Sequence, residues 1–259
     1  SKIIEELNNS STNTENDLSL KVISAISEKD TTKLNTLSEN NKEQIETLTE
    51  TAIKNADASN ESADLIAKVV ANASNELVNK MVGEVSKNSI DENQALSAKV
   101  MKSIVETNPE KIKTLNDKNK ETMISQTIEA AKNQAEGTST DEIDLSNTIA
   151  EIVTKSDIAT AAEVLETLEE VSNESESKLS LSVVSNISKQ ENYEEKMEIL
   201  SVTSPIVEQN IDKLVEKAVE NASSEEDLEL VTNIVENSKG TISEKVINSA
   251  NKNNESKKK

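Results

Sequence analysis

The sequence predicts an all-α chain of tandem helical repeats, stacked as an α-solenoid or superhelical rod. Three observations predict it. One helix is written three times, beginning at Leu18, Leu96 and Leu179, at intervals of roughly eighty residues. Apolar residues recur at helical spacing, and no segment alternates with a period of two between hairpin turns. Only 34% of the 259 residues are apolar, and the one aromatic is Tyr193, so Leu, Ile, Val and Ala must do the packing. That is too little for a deep globular centre but enough for a thin core shared between stacked helices. Disorder is the competing reading of so polar a chain, and the regular apolar stripes argue against it.

Residues 1–17 read as the tail of a preceding repeat. Ile3-Ile4-Glu5-Glu6-Leu7 and the Asn/Ser/Thr run after it parallel Leu165 to Val171 and the linker 172–178, which leads into Leu179. Repeat 1 then covers 18–95, repeat 2 covers 96–178 and repeat 3 covers 179–259. The first helix, Leu18-Ser19-Leu20-Lys21-Val22-Ile23, answers to Leu96-Ser97-Ala98-Lys99-Val100-Met101 and to Leu179-Ser180-Leu181-Ser182-Val183-Val184. Val22, Val100 and Val183 therefore belong at equivalent buried positions. Thr32-Lys33-Leu34-Asn35-Thr36-Leu37 answers in turn to Glu110-Lys111-Ile112-Lys113-Thr114-Leu115.

Ile45, Leu48, Ala52, Ile53 and Ala56 form the next apolar stripe, matched by Met123, Ile124, Ile128, Ala131 and Ala135. A second helix type starts at Asp64-Leu65 and recurs at Asp144-Leu145 and Asp227-Leu228. Its likeness to the run Asp17-Leu18-Ser19-Leu20-Lys21-Val22-Ile23 implies that each large repeat contains a longer and a shorter sub-unit. Gly83 falls inside a helical pattern and marks close helix approach, whereas Gly137 and Gly240 fit helix ends. Asn108-Pro109 and Ser204-Pro205 place a capping acceptor before a proline at the first helical position. Ser139-Thr140-Asp141-Glu142 reads as a capping box. Ile206 through Ala222 makes one more broad stripe, and Tyr193, in the connection after the third first-type helix, suits a helix-capping contact.

Composition excludes most site chemistry. His and Cys are absent, so the usual ligands of zinc, haem, copper and iron–sulfur centres and the bases of nucleophilic triads are missing, and no disulfide marks a compartment. The 49 acidic residues against 28 basic ones, all Lys, give a net charge of −21 and no basic stripe for nucleic acid. Glu166, Glu169 and Glu170 read as a solvated face. Asp141 and Asp144 lack the loop of a calcium site. Ser175-x-x-Lys178 and Ser249-x-x-Lys252 match a penicillin-binding start without its companion motifs, and Asn60-Glu61-Ser62 and its like match glycosylation acceptors in a chain rich in Asn and Ser. No glycine-rich phosphate loop can be written, no cofactor is implied, and no run is apolar enough to insert in a membrane.

The sequence thus predicts a non-enzymatic structural segment of a longer repeat protein, a spacer, scaffold or filament-forming element of the kind found at bacterial surfaces. The compartment stays open, with an extracellular or cell-surface setting preferred over the cytoplasm. The expected partners are adjoining repeats or copies of the chain end to end, through Ile3, Ile4 and Leu7 at one end and Val246, Ile247 and Ala250 at the other. Two other readings stay open. One is a complete solenoid with capping helices that captures a protein or peptide on its surface, and the other is a disordered stress or solvation protein.

Overall fold

A computed structural model describes residues 6, 18–54, 56, 60–89, 94–137, 144–174, 179–191, 193–203, 209, 212–216, 219–220, 222, 224–237 and 241–256. Among them the chain is all-helical and contains no strand. It divides into two compact units, Ser1–Thr127 and Ile128–Lys259.

In the first unit the helices are α1 (Leu18–Lys29), α2 (Thr31–Asn40), α3 (Lys42–Lys54), α4 (Asn60–Asn72), α5 (Asn75–Asn88) and α6 (Gln94–Thr107). A 3₁₀ turn over Pro109–Thr114 comes next. Helix α7 (Asp117–Ala135) contains the division between the units. Helices α1, α4 and α6 pack side by side, α3 packs on α5, and α2 lies against α1 and α3. The second unit contains α8 (Leu145–Lys155), α9 (Ile158–Glu174), α10 (Leu179–Ser188), α11 (Tyr193–Thr203), α12 (Glu225–Asn237) and α13 (Thr241–Ser256). Here α8, α10 and α12 pack side by side, α9 packs on α8, and α13 packs on α12. In both units, then, helices of the same sequence phase are direct neighbours.

Short side-chain caps fix where several of these helices begin. Ser74 accepts from the Leu77 N–H at the start of α5, with Glu76 in the first turn and Lys87 in the last, each favoured by the helix dipole. Asp144 accepts from the Asn147 N–H at 2.9 Å to start α8. Asp30 does the same for α2 through the N–H groups of Thr32 and Lys33. Ser224 and Asp227 cap α12 reciprocally, the Ser224 N–H donating to Asp227 at 2.8 Å and the Asp227 N–H to the Ser224 hydroxyl at 3.1 Å. Asp157 caps α9 by accepting from the Thr160 N–H and hydroxyl. Burial pushes its carboxyl up, yet these bonds outweigh burial and hold it below the usual Asp range. Because the folded value lies below the unfolded one, the stabilisation is present above the ordinary Asp range and is lost as pH falls through the lowered value. Acid titration should therefore destabilise the wild-type chain more than an Asp157→Asn variant, as followed by thermal melting at successive pH values.

The core is largely aliphatic. Ile66, Val69 and Val70 of α4, Val100 and Met101 of α6, Ile149 and Val153 of α8, and Val183 of α10 have no measurable exposure. Each such side chain contributes about 1.5–3 kcal/mol relative to an exposed one. The structure also buries many Ser and Thr side chains. Ser19, Ser97 and Ser180, each one residue after the leucine that opens one of the three matching sequence runs, are all at most 1% exposed. Small hydroxyl side chains let neighbouring helices approach closely. Several turn their hydroxyl into their own helix: Thr49 donates to the Ile45 carbonyl and Thr127 to the Met123 carbonyl, both at 2.7 Å. Ser27 donates to Ser24 at 2.8 Å and its counterpart Ser188 to Ser185 at 2.7 Å.

Some expectations change. Asn108 makes no side-chain cap because its amide is turned towards the Ala71 carbonyl, and Pro109 opens a 3₁₀ turn instead of an α-helix. Glu169 is buried and paired with Lys213 at 3.2 Å, not solvated like Glu166 and Glu170. Ala135 is exposed in the last turn of α7, off the stripe of Met123, Ile124, Ile128 and Ala131. In the third second-type helix the register moves. Leu228 is 59% exposed because the buried Asp227 is engaged with Ser224, and Ile234 takes the buried place of Val69 and Ile149. The position answering to Leu65 and Leu145 is thus Leu230, two residues after Leu228. The capping box at 139–142, the Ser204-Pro205 start and Gly240 lie outside the described residues.

Gly137 has a φ of 71°, the left-handed conformation that ends a helix with little strain only for glycine. Gly83 lies within α5 beside the Asn119 side chain, where an added Cβ would sit 3.4 Å from the amide oxygen. That is ordinary contact, so the helical preference of alanine decides the outcome. Gly83→Ala is expected to stabilise the chain by about 0.5–1 kcal/mol in urea titration.

Candidate functional site

The described residues hold no cluster of three or more acidic side chains able to bind a metal. No described helix is long and apolar enough to cross a membrane. The built feature of the molecule is instead a set of polar contacts between neighbouring helices, joining residues 34 to 44 positions apart.

In the first unit Asn79 is a hub. Its amide donates to the Thr114 carbonyl at 2.8 Å, its oxygen accepts from the Asn116 N–H at 2.6 Å, and its own carbonyl accepts from the Asn119 amide at 2.6 Å. Asn88 donates to the Ile53 carbonyl and Gln126 to the Ser86 carbonyl, each at 2.8 Å. The Ser103 hydroxyl reaches Asp64 at 2.6 Å, joining α6 to α4. In the second unit Asn186 donates to Ser146 at 2.9 Å, joining α10 to α8, and Gln190 donates to Asn147 at 3.1 Å. The Tyr193 hydroxyl donates to the carbonyl of Asn237, the last residue of α12, at 3.2 Å, the kind of helix-end contact its position suggests.

Two lysines repeat one contact. Lys111 donates to the Ala73 carbonyl just past the end of α4 at 2.8 Å, and Lys196 donates to the Ser156 carbonyl just past the end of α8. Burial holds the Lys111 ammonium below the usual lysine range. The segments around them, Glu110-Lys111-Ile112 and Glu195-Lys196-Met197, are alike, with Ile112 and Met197 both buried. A cation at the negative end of a helix dipole, bonded to an otherwise unpaired terminal carbonyl, fastens one helix end to the next segment. The likeness of Glu195 to Leu200 with Glu110 to Leu115 is legible in the sequence once the extra residues before Tyr193 are allowed for.

Ion pairs add to these contacts on the more exposed side. Lys42 pairs with Glu76 and Lys80 with Glu46, both between α3 and α5. The hydrogen bond to Glu76 raises the Lys42 ammonium and lowers the Glu76 carboxyl in turn. Such pairs set helix register more than they add stability.

Of the residues expected to carry end-to-end association, Val246 is buried in α13, Ala250 is half-buried and Ile247 is 45% exposed. Ile3, Ile4 and Leu7 lie outside the described residues. No family model, curated protein or solved structure compared with this chain matches it.

Proposed function

We propose that the chain is a non-enzymatic stretch of tandem helical repeats, stacked in series as an α-solenoid, that serves as a spacer or scaffold whose span is set by the number of copies. The observation that carries the reading is the recurrence of one contact in both units, Lys111 and Lys196 each donating to the carbonyl just past the end of a second-type helix, where helices of one sequence phase pack as direct neighbours. Contacts of this kind give each module the same task towards its neighbour, so that stability is shared along the array. The acidic surface, at a net charge of −21, makes separate molecules repel except where opposite charges are gathered. The natural partners are further repeats of the same type.

The test is to fuse one, two and three copies head to tail and to measure the distance between fluorophores at the two ends, together with the unfolding free energy per copy. The spacer reading expects a constant increment in length per copy and a rise in stability per copy that levels off. No increment in length, with each copy unfolding independently, overturns it and favours a self-contained scaffold that binds a protein or peptide.

A further inference from the structure

Inside each unit, one face of a first-type helix lies on the second-type helix before it. In α6 that face carries Val100, Ser103 and Ile104 and meets α4 through the Ser103–Asp64 bond. In α10 it carries Val183, Asn186 and Ile187 and meets α8 through the Asn186–Ser146 bond. The corresponding residues of α1 are Val22, Ala25 and Ile26. Ala25 is exposed and the other two are half-buried, although their counterparts in α6 are at most 2% exposed. Lys33, which answers to Lys111, has a side chain 73% exposed, and its ion-pair neighbour Asp30 stands 3.7 Å away.

The matching deficit is on α12. With Leu230 answering to Leu145, Val231 and Thr232 stand where Ser146 and Asn147 of α8 receive α10. Thr232 is exposed, Val231 and Val235 are half-buried, and Leu228 is 59% exposed on the same side. Charge makes the two faces complementary despite the net charge of the chain. Lys29 and Lys33 stand exposed beside the α1 face, and Glu225, Glu229 and Glu236 stand exposed beside the α12 face.

We infer that α1 of one copy docks on α12 of a second copy, reproducing the α4–α6 and α8–α10 contacts between molecules, with Lys33 donating to last-turn carbonyls of α12. The contact is head-to-tail and heterologous, so it continues from copy to copy. It rests on the stacked-repeat reading above and adds the two surfaces, their polarity and the lysine that recognises a helix end. It also moves the association site from the Val246, Ile247 and Ala250 face of α13 to α12.

The test uses two variants that each spoil one face at accessible positions: Ala25→Glu, which sets a carboxylate against the acidic α12 face, and the double change Leu228→Gln with Val231→Gln. Circular dichroism checks that both stay helical, and sedimentation measures mass against concentration. Wild-type protein is expected to exceed dimer mass as concentration rises and to dissociate in about 1 M salt, where charge attraction is screened within about 3 Å. Each variant alone should need at least about tenfold higher concentration to associate, equivalent to about 1.4 kcal/mol. Mixed together they should form a one-to-one dimer and nothing larger, since each supplies one intact face. A monomeric wild type, variants that associate like wild type, or a mixture that stays monomeric overturns the proposal. If fused copies still lengthen by a constant increment, such a result removes this contact alone and leaves the repeat reading standing.

Discussion

Val100→Asp is expected to lower the stability of the first unit by about 3–5 kcal/mol, a loss large enough to unfold a marginal module at room temperature. Val100 is fully buried in α6, which packs between α4 and its neighbours, and no described cation is bonded there to meet a new carboxylate. The side chain must then be desolvated without a partner or the helix must leave its place. Urea denaturation followed by helical ellipticity reads the effect. Val202→Asp in α11 provides the control, because Val202 is 82% exposed and the same change there should stay within about 0.5 kcal/mol. Equal losses at the two positions would mean that α6 is not held in a packed core.

Asn79→Ala should cost about 2–3 kcal/mol, more than a surface asparagine warrants, because it strips partners from two backbone groups at once. The Thr114 carbonyl loses its donor and the Asn116 N–H loses its acceptor, both from a half-buried side chain. Hydrogen exchange gives a local reading: the Asn116 amide should lose protection while amides of α1 keep theirs. A loss below about 0.5 kcal/mol would show that water replaces the side chain at no cost and that this hub does not fix the helix contacts.

The all-helical class and the apolar stripes are legible in the sequence because they depend on local spacing, whereas the caps that start α2, α5, α9 and α12 are not among those its punctuation marks. Ile45, Leu48, Ala52, Ile53 and Ala56 are all buried as their periodicity requires, and the helix read from Asp144-Leu145 begins at Leu145. The contact set is less legible, for a physical reason. Asn79, Asn88, Gln126 and Lys196 act on backbone carbonyls, and a carbonyl leaves no mark in the sequence of the segment that offers it. The burial of the serines leaves no mark in the sequence for a related reason, since a hydroxyl that bonds its own helix is as buriable as alanine. Val22 shows the reverse case: identical to Val100 and Val183 in pattern, it is only half-buried, because burial depends on what lies across the helix and not on the residue. At Leu228 the Asp-Leu pair is out of register with the packing, which follows the later match of Ile234 with Ile149.

The central claim is that same-phase helices about forty residues apart are neighbours in both units, and thiol cross-linking tests it most directly. The chain contains no cysteine, so every introduced pair reports alone. Cysteines at Asp64 and Ser103, and separately at Ser146 and Asn186, replace side chains bonded at 2.6 and 2.9 Å. Treated with a short bifunctional reagent in native buffer, both pairs should link in high yield and lose that yield in urea, whereas cysteines at the sequence-matched positions Ala25 and Ser103 should link poorly. Efficient linking of Ala25 with Ser103, together with failure of the other two pairs, would contradict the account.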